Sequence, residues 1–345
     1  MNDWPFQARL LRGDPEVYRR AVETWAAQPV DLDETSTPPP PPPPFETTLA
    51  ASARVRGPGT FNGDETRTIV FEPCDDPGWW FDRTDRPDNL PTLVSVRNVW
   101  TTGQIVSNIV LRSGDPHNYV RMVEHIVALK PNLWLDNVVV RLDSGDPPLF
   151  DDSSLELVRA VEQAGIVSTS RPARYVAPRE AVAVCSPTGA FVAFAPPAAG
   201  EPALTMDVAI DFSNVIGRQR IRFHMNPETF RRVAVARTNA TAAKKLYCQT
   251  IGRLFADVRR LGYNRRNLLI AGRRAYLNQP RLIHEGRSLE AVWHRAALDL
   301  AAAIALVEGG RFVGRVASYR AGHALDVRLV TLAHLERILG PWPAS

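Results

Sequence analysis

Cysteine is scarce. The 345-residue chain has three, Cys74, Cys185 and Cys248, far apart and never as CxxC. A disulfide framework is therefore excluded as the organising device, and a reducing, cytoplasmic compartment is the expectation. Long apolar runs are also missing. No stretch reaches the ~20 apolar residues that span a bilayer. The segment LDLAAAIALV, residues 298–307, is too short for that and reads as a buried helix. The opening MNDWPFQARLLRGD lacks a charged leader followed by an apolar core, so no signal peptide is expected. Charge of one sign is nearly absent too: 41 basic against 37 acidic residues leave a net +4. That suits phosphate-bearing or anionic substrates and does not argue for nucleic acid, which leaves a clustered basic patch. The densest basic group, Arg259, Arg260, Arg265 and Arg266, reads as a solvated face.

Proline is abundant at 29 residues, and one run covers Pro38 to Pro44. The length suits two domains plus a tail, and 45% apolar with 23% charged residues is ordinary for a globular protein. Residues 14 to 27 read as an amphipathic helix. Asp14 can cap it, Pro15 suits its first turn, and Val17, Ala21 and Trp25 recur at four-residue spacing. The following DLDETSTPPPPPPP cannot form a core and reads as an extended spacer. Residues 1–45 are thus expected to be a helix and linker, dispensable for folding.

From Thr47 the texture changes. ARVRG, RTIVFEP and LVSVRNVW read as strands, YVRMVEHIVAL (119–129) as a helix, LDNVVVRLD as a strand and SSLELVRAVEQAG as a helix stopped at Gly165. The second half repeats this order. AVAVCSPTGAFVAFAP, ALTMDVAIDFS and RQRIRFHM are strand-like, and Asn226-Pro227 opens a helix. A mixed region runs to Gln279, followed by the long helix SLEAVWHRAALDLAAAIALVEG, the strand RFVGRVASYR and a final helix ALDVRLVTLAHLERIL. The repeat is one of element order and predicts a duplicated α+β fold.

Of seven histidines, three have telling neighbours. Glu124-His125 lies in an apolar helix, where a lone charge is costly. Metal ligation by His125 with Glu124 as a base would account for the pair, and so would a buried salt bridge. His294 and Asp299 interrupt the most apolar helix and are good zinc ligands. Residues i and i+5 sit ~140° apart on a regular helix, so a π-bulge would be needed to align them. Without one they face different neighbours and bind nothing. Gly322-His323 opens the last helix, where a histidine can handle a developing anion or simply cap the helix.

These segments stand in an order that resembles one family. ETTLAASARVRGPGTFNG, FDRTD, MVEHI, LDNVVV and DPPLFDDSS are followed by the IDF of Ile210–Phe212, FHMNPETF, Ala236-Arg237-Thr238, His294-Arg295 and the GHAL of Gly322–Leu325. Over about 290 residues, leaving out the first 45, they are similar to the LpxC family of UDP-3-O-acyl-N-acetylglucosamine deacetylases. The specificity lies in their co-occurrence in order, since each is short alone.

The resemblance implies an α+β fold of two consecutive similar α/β sandwich domains with helix layers facing each other, here 46–170 and 171–345, after an N-terminal helix and polyproline linker at 1–45. It implies zinc held by His125, His294 and Asp299, with Glu124 as the base, Thr238 at the oxyanion, His323 assisting at the oxyanion or the leaving amine, and Arg295 in the place of a family lysine. The implied partner is a UDP-linked acylated amino sugar of lipid A biosynthesis, with peripheral contact to acyl chains, no transmembrane segment and no nucleic acid. A non-catalytic relative that keeps the fold and binds a sugar nucleotide or a partner is the alternative. The departures are specific. The metal-helix residues are spaced i, i+5 where the family has i, i+4. The aspartate that orients the GHAL histidine falls on Ala303, the histidine of the GVGLHSG turn on Phe61, and NRRNLLIAGRRAYLN stands where a glycine-rich segment is expected.

Overall fold

A computed structural model of the chain describes residues 4–103, 107–198, 202–241 and 261–343. Two mixed sheets dominate. The first has five strands in the spatial order Ala53–Pro58, Thr66–Pro73, Val138–Leu142, Trp79–Arg83 and Thr92–Leu93. The second has seven: Arg9–Arg12, Val182–Cys185, Phe191–Ala195, Gly314–Tyr319, Leu204–Asp211, Arg218–His224 and Leu32–Asp33. Pairings across the first run antiparallel, antiparallel, parallel, antiparallel. The middle five strands of the second follow the same sequence of pairings. The repeat of element order is thus also a repeat of strand topology.

The outer strands of the larger sheet come from the N-terminal segment. Arg9–Arg12 pairs in parallel with Val182–Cys185, and Leu32–Asp33 pairs in parallel with Arg218–His224. Between them the helix Pro15–Ala27 crosses the sheet. Asp14 caps it by accepting from the backbone N–H groups of Glu16 and Val17. Its Tyr18, Ala21, Val22 and Trp25 pack on Ala183, Cys185, Phe191, Ala193, Ala317 and Tyr319. At its C-terminal end the Arg220 guanidinium lies 3.9 Å from the Trp25 ring centroid and donates to the Trp25 and Gln28 carbonyls at 2.8 and 3.0 Å. The Trp25 carbonyl also accepts from the Gln28 backbone N–H at 3.1 Å, so Arg220 adds a second donor at the helix end. Expected to be an appendage, the helix is instead a layer of the core, because its apolar stripe meets a sheet face that has no other cover among the described residues.

The proline run is also more than a spacer. Arg311 donates to the carbonyls of Pro43 and Phe45, at 2.6 and 3.0 Å, while it pairs with Asp136 at 2.7 Å. Pro39–Pro42 help line a cavity of about 220 Å³ with Trp134, Tyr175 and Phe312. Aromatic side chains facing extended prolines are a familiar recognition surface, here within one chain.

Two helices differ from expectation. The expected helix at 119–129 begins as the strand Tyr119–Val120, and helix starts only at Glu124–Val127, followed by Leu129–Asn132. Met122, at φ 54°, breaks the path between them. The expected long helix near 288–309 is Glu290–His294, then six residues of π-helix, Arg295–Leu300, then Ala301–Ala305. Every residue from Glu290 to Ala305 is buried except Asp299, as expected of a helix that is apolar all round. It packs on the Glu124–Val127 turn. Arg265 and Arg266 are exposed, in keeping with a solvated face. Arg259, Arg260, Cys248 and much of the mixed region lie outside the described residues.

Candidate active site

The site forms where Glu124–Val127, the π-helical turn and the start of the helix His323–Leu335 meet. A π-turn inserts one residue into the ladder, which is what the His294 to Asp299 spacing requires to keep both on one side. Asp299 Oδ1 lies 3.5 Å from His294 Nδ1 and 3.5 Å from His323 Nε2. His323 Nε2 is also 3.7 Å from Glu124 Oε1. His294 Nε2 lies 3.4 Å from His125 Nε2 and 2.9 Å from Thr238 Oγ1. Six of the seven residues singled out from sequence are therefore linked by contacts below 4 Å. The seventh, Arg295, is buried one step away, donating to Asp326 Oδ1 at 2.6 Å and to Ser318 Oγ at 3.2 Å.

The surroundings set the protonation states. Enclosure pushes the His125 imidazole down to about 3, helped by His294, so it is neutral at physiological pH. Its Nδ1 faces the Ser153 and Ser154 hydroxyls at 3.2 and 3.3 Å, which leaves Nε2 toward His294. Burial alone would raise the Asp299 carboxyl, but His294 and His323 hold it well below the usual carboxylate range. Glu124, 3% exposed, moves the opposite way: burial pushes its carboxyl up, and His323 opposes this only in part. Its Oε1 also accepts from the Ile109 backbone N–H.

Thr238 is positioned through its neighbour. Glu290, one helical turn before His294, accepts from Arg237 Nε at 2.6 Å and from its backbone N–H at 3.1 Å, with both side chains buried. The strand Thr238–Thr241 is thereby anchored to the helix that carries His294. Phe61 packs under the Arg121 guanidinium, 3.8 Å from its centroid, with its backbone N–H on Asp146.

The donor set fits a metal in part. Two Zn–N bonds of 2.0–2.1 Å in tetrahedral geometry separate the nitrogens by roughly 3.3 Å, close to the His125–His294 spacing. Two imidazole nitrogens and a carboxylate are the right donor types. Asp299, however, faces His294 Nδ1 and not Nε2, and among the described residues no three His, Cys, Asp or Glu side chains converge as a metal-holding group. Ser153, Ser154, Glu290 and Asp326 were not singled out from sequence. Only Asp326, one turn past His323 in the helix that GHAL opens, carried a readable spacing signal.

A family model described as UDP-3-O-acyl N-acetylglycosamine deacetylase matches residues 46–334. Curated relatives named UDP-3-O-acyl-N-acetylglucosamine deacetylase from Brucella ovis, Brucella canis and Brucella suis are each 27% identical over 289 residues, covering 83% of this chain and 94% of theirs. With most of its length matched by that family model, the chain belongs to the LpxC family.

Proposed function

We propose that the chain is a zinc-dependent amidohydrolase that removes the acetyl group from a UDP-3-O-acyl-N-acetylglucosamine-type substrate in lipid A biosynthesis. The proposal includes a cytoplasmic location and two α/β sandwich domains with facing helix layers. No helix among the described residues is long and apolar enough to cross a membrane. The observation that carries the reading is the approach of His125 Nε2 to His294 Nε2 at 3.4 Å, beside an ionised Asp299. His125, His294 and Asp299 would hold the ion. When bound, zinc supplies a Lewis acid that acidifies water and polarises an amide carbonyl.

The chain's own residues account for the proton transfers. Glu124, its carboxyl raised by burial, takes a proton from the attacking water. The Thr238 hydroxyl, beside His294 Nε2, donates to the oxygen that gains charge as the carbonyl carbon becomes tetrahedral. His323, with Nε2 turned to Glu124 and Asp299, delivers a proton to the departing amine nitrogen. The products are acetate and the free amino sugar.

A second reading has one observation in its favour. The Asp299 carboxylate lies against His294 Nδ1, so three donors do not share one point. A relative that keeps the fold and binds a sugar nucleotide without chemistry would have such a site. Elemental analysis of purified protein and of His125→Ala, with a deacetylation assay on each, separates the two. Zinc and turnover in the parent, both lost in His125→Ala, support the enzyme. Equal, near-zero zinc in both ends that reading and leaves the non-catalytic one.

A further inference from the structure

The buried ion pair behind the site contains more hydrogen-bonding groups than it uses. Arg295 and Asp326 are 6% and 1% exposed and meet through Nη2 and Oδ1 at 2.6 Å. That single contact leaves Arg295 Nε and Nη1 and Asp326 Oδ2 buried without hydrogen-bond partners. His323 Nδ1 is buried and unpartnered as well. Four orphaned polar atoms in one place are unusual, since each costs ~1–3 kcal/mol when left unpaired. They can complement one another: Arg295 offers N–H groups, His323 Nδ1 offers one in the tautomer protonated there, and Asp326 Oδ2 is an acceptor. His323 and Asp326 are three residues apart on one helix, so their side chains lie on the same face. Burial raises the Asp326 carboxyl, and Arg295 and then His323 pull it back toward the ionised form.

We propose that Asp326 is the positioning residue for His323, accepting a hydrogen bond from His323 Nδ1–H through one bridging water, with Arg295 fixing the carboxylate. A water that accepts from His323 and from Arg295 and donates to Asp326 Oδ2 has three partners, the usual number for a buried water. With the proton held on Nδ1, Nε2 is turned to Glu124 and Asp299. The carboxylate that sequence comparison expects at position 303, where Ala303 is fully buried, is thus supplied from the helix that carries His323 itself. This inference rests on the deacetylase reading for its kinetic consequence and not for its structural one.

The test uses Asp326→Asn, which keeps an acceptor for Arg295 but places an N–H₂ where Oδ2 stood. The expected result is a roughly tenfold to hundredfold fall in kcat with KM little changed. The same substitution in a His323→Ala background should have no further effect, because the two residues act as one unit. An equal fall in both backgrounds overturns the proposal, since it would show a structural role independent of His323. ¹⁵N-histidine NMR, with His323 assigned by His323→Gln, reads the link without any turnover. Expected is a proton on His323 Nδ1 in the unmodified protein, its resonance lost or strongly shifted in Asp326→Asn. An unprotonated Nδ1 in the unmodified protein overturns the proposal, even if Asp326→Asn does not fold. An unchanged resonance in Asp326→Asn does the same. If the unmodified protein turns nothing over, the deacetylase reading has failed, and the NMR result alone decides this one.

Discussion

The two sheets share a pattern of strand pairings but not a pattern of side chains. In the first, buried and more exposed residues alternate along Ala53–Pro58, Trp79–Arg83 and Val138–Leu142, as in a sheet with one wet face. In the second, Val182–Cys185 and Phe191–Ala195 are buried at every position. A strand buried on both faces needs two covering layers, and the N-terminal helix is the second one. Unbroken apolar strands such as VAVC and FVAFA are therefore a request for a partner, and alternation is a statement that none is needed.

Removing the cover is the harshest way to break this contrast. Deletion of residues 1–36 strips Tyr18, Val22 and Trp25 from the larger sheet, at roughly 1.5–3 kcal/mol for each large side chain. That is comparable with the net stability of a whole domain. The expected outcome is insoluble protein or a loss of the cooperative thermal transition. An unchanged Tm would show that the helix is an ornament. A milder cut, Trp25→Ala, should cost ~3–5 kcal/mol in denaturant unfolding.

A matched pair of substitutions tests the two faces directly. Ala193 on the larger sheet is fully buried against the helix layer, whereas Arg54 on the smaller sheet is exposed. Ala193→Gln should destabilise by ~2 kcal/mol or more through overpacking and a buried amide. Arg54→Gln should stay within ~0.5 kcal/mol. Similar values for the two would erase the distinction drawn here.

Where the halves meet, pH gives a comparable effect. Lys130 of the first half donates to the carbonyls of Ala305 and Val307 in the second, at 2.8 and 3.2 Å. Enclosure pushes its ammonium down to about 8, against the opposing pull of Asp136 and Glu308. Between that value and its ordinary 10.5 the unfolded chain binds more protons than the folded one. Stability attributable to Lys130 should therefore rise with pH across this window, by on the order of 1–3 kcal/mol. Urea melts of the parent and of Lys130→Met at pH 8 and 10.5 check it, and parallel slopes in the two proteins would refute it. The smallest effect is chemical. The Cys185 thiol lies under the helix and burial pushes it up to about 11, so it should resist maleimide labelling in the folded chain and react once urea unfolds it.

Much of this was legible in the sequence, for reasons that are local. Asp14, Pro15 and the four-residue apolar spacing specify the helix at 15–27, and strand alternation specifies the smaller sheet. The i, i+5 spacing of His294 and Asp299 pointed to a helix irregularity, and the π-turn is there. What escaped reading depends on partners. Periodicity says that a face is apolar without saying what covers it, so the docking of the N-terminal helix across ~150 residues of sequence was not visible. Asp326 escaped because its value comes from Arg295 meeting it in space. The helix expected from 119 starts only at Glu124 because Met122, at φ 54°, interrupts the helical path, and a side-chain pattern does not report a backbone angle.

The N-terminal strap also has a history in time. Its helix leaves the ribosome ahead of the strands that will hold it, and the central strand of that sheet, Gly314–Tyr319, comes nearly 300 residues later. At ~5–20 residues per second this is a delay of roughly 15–60 s. During that interval the apolar stripe of Tyr18, Val22 and Trp25 has no cradle, while the first half of the chain already contains all five strands of its own sheet. An apolar stripe that must wait for its cradle is thus the cost of covering a late sheet with an early helix.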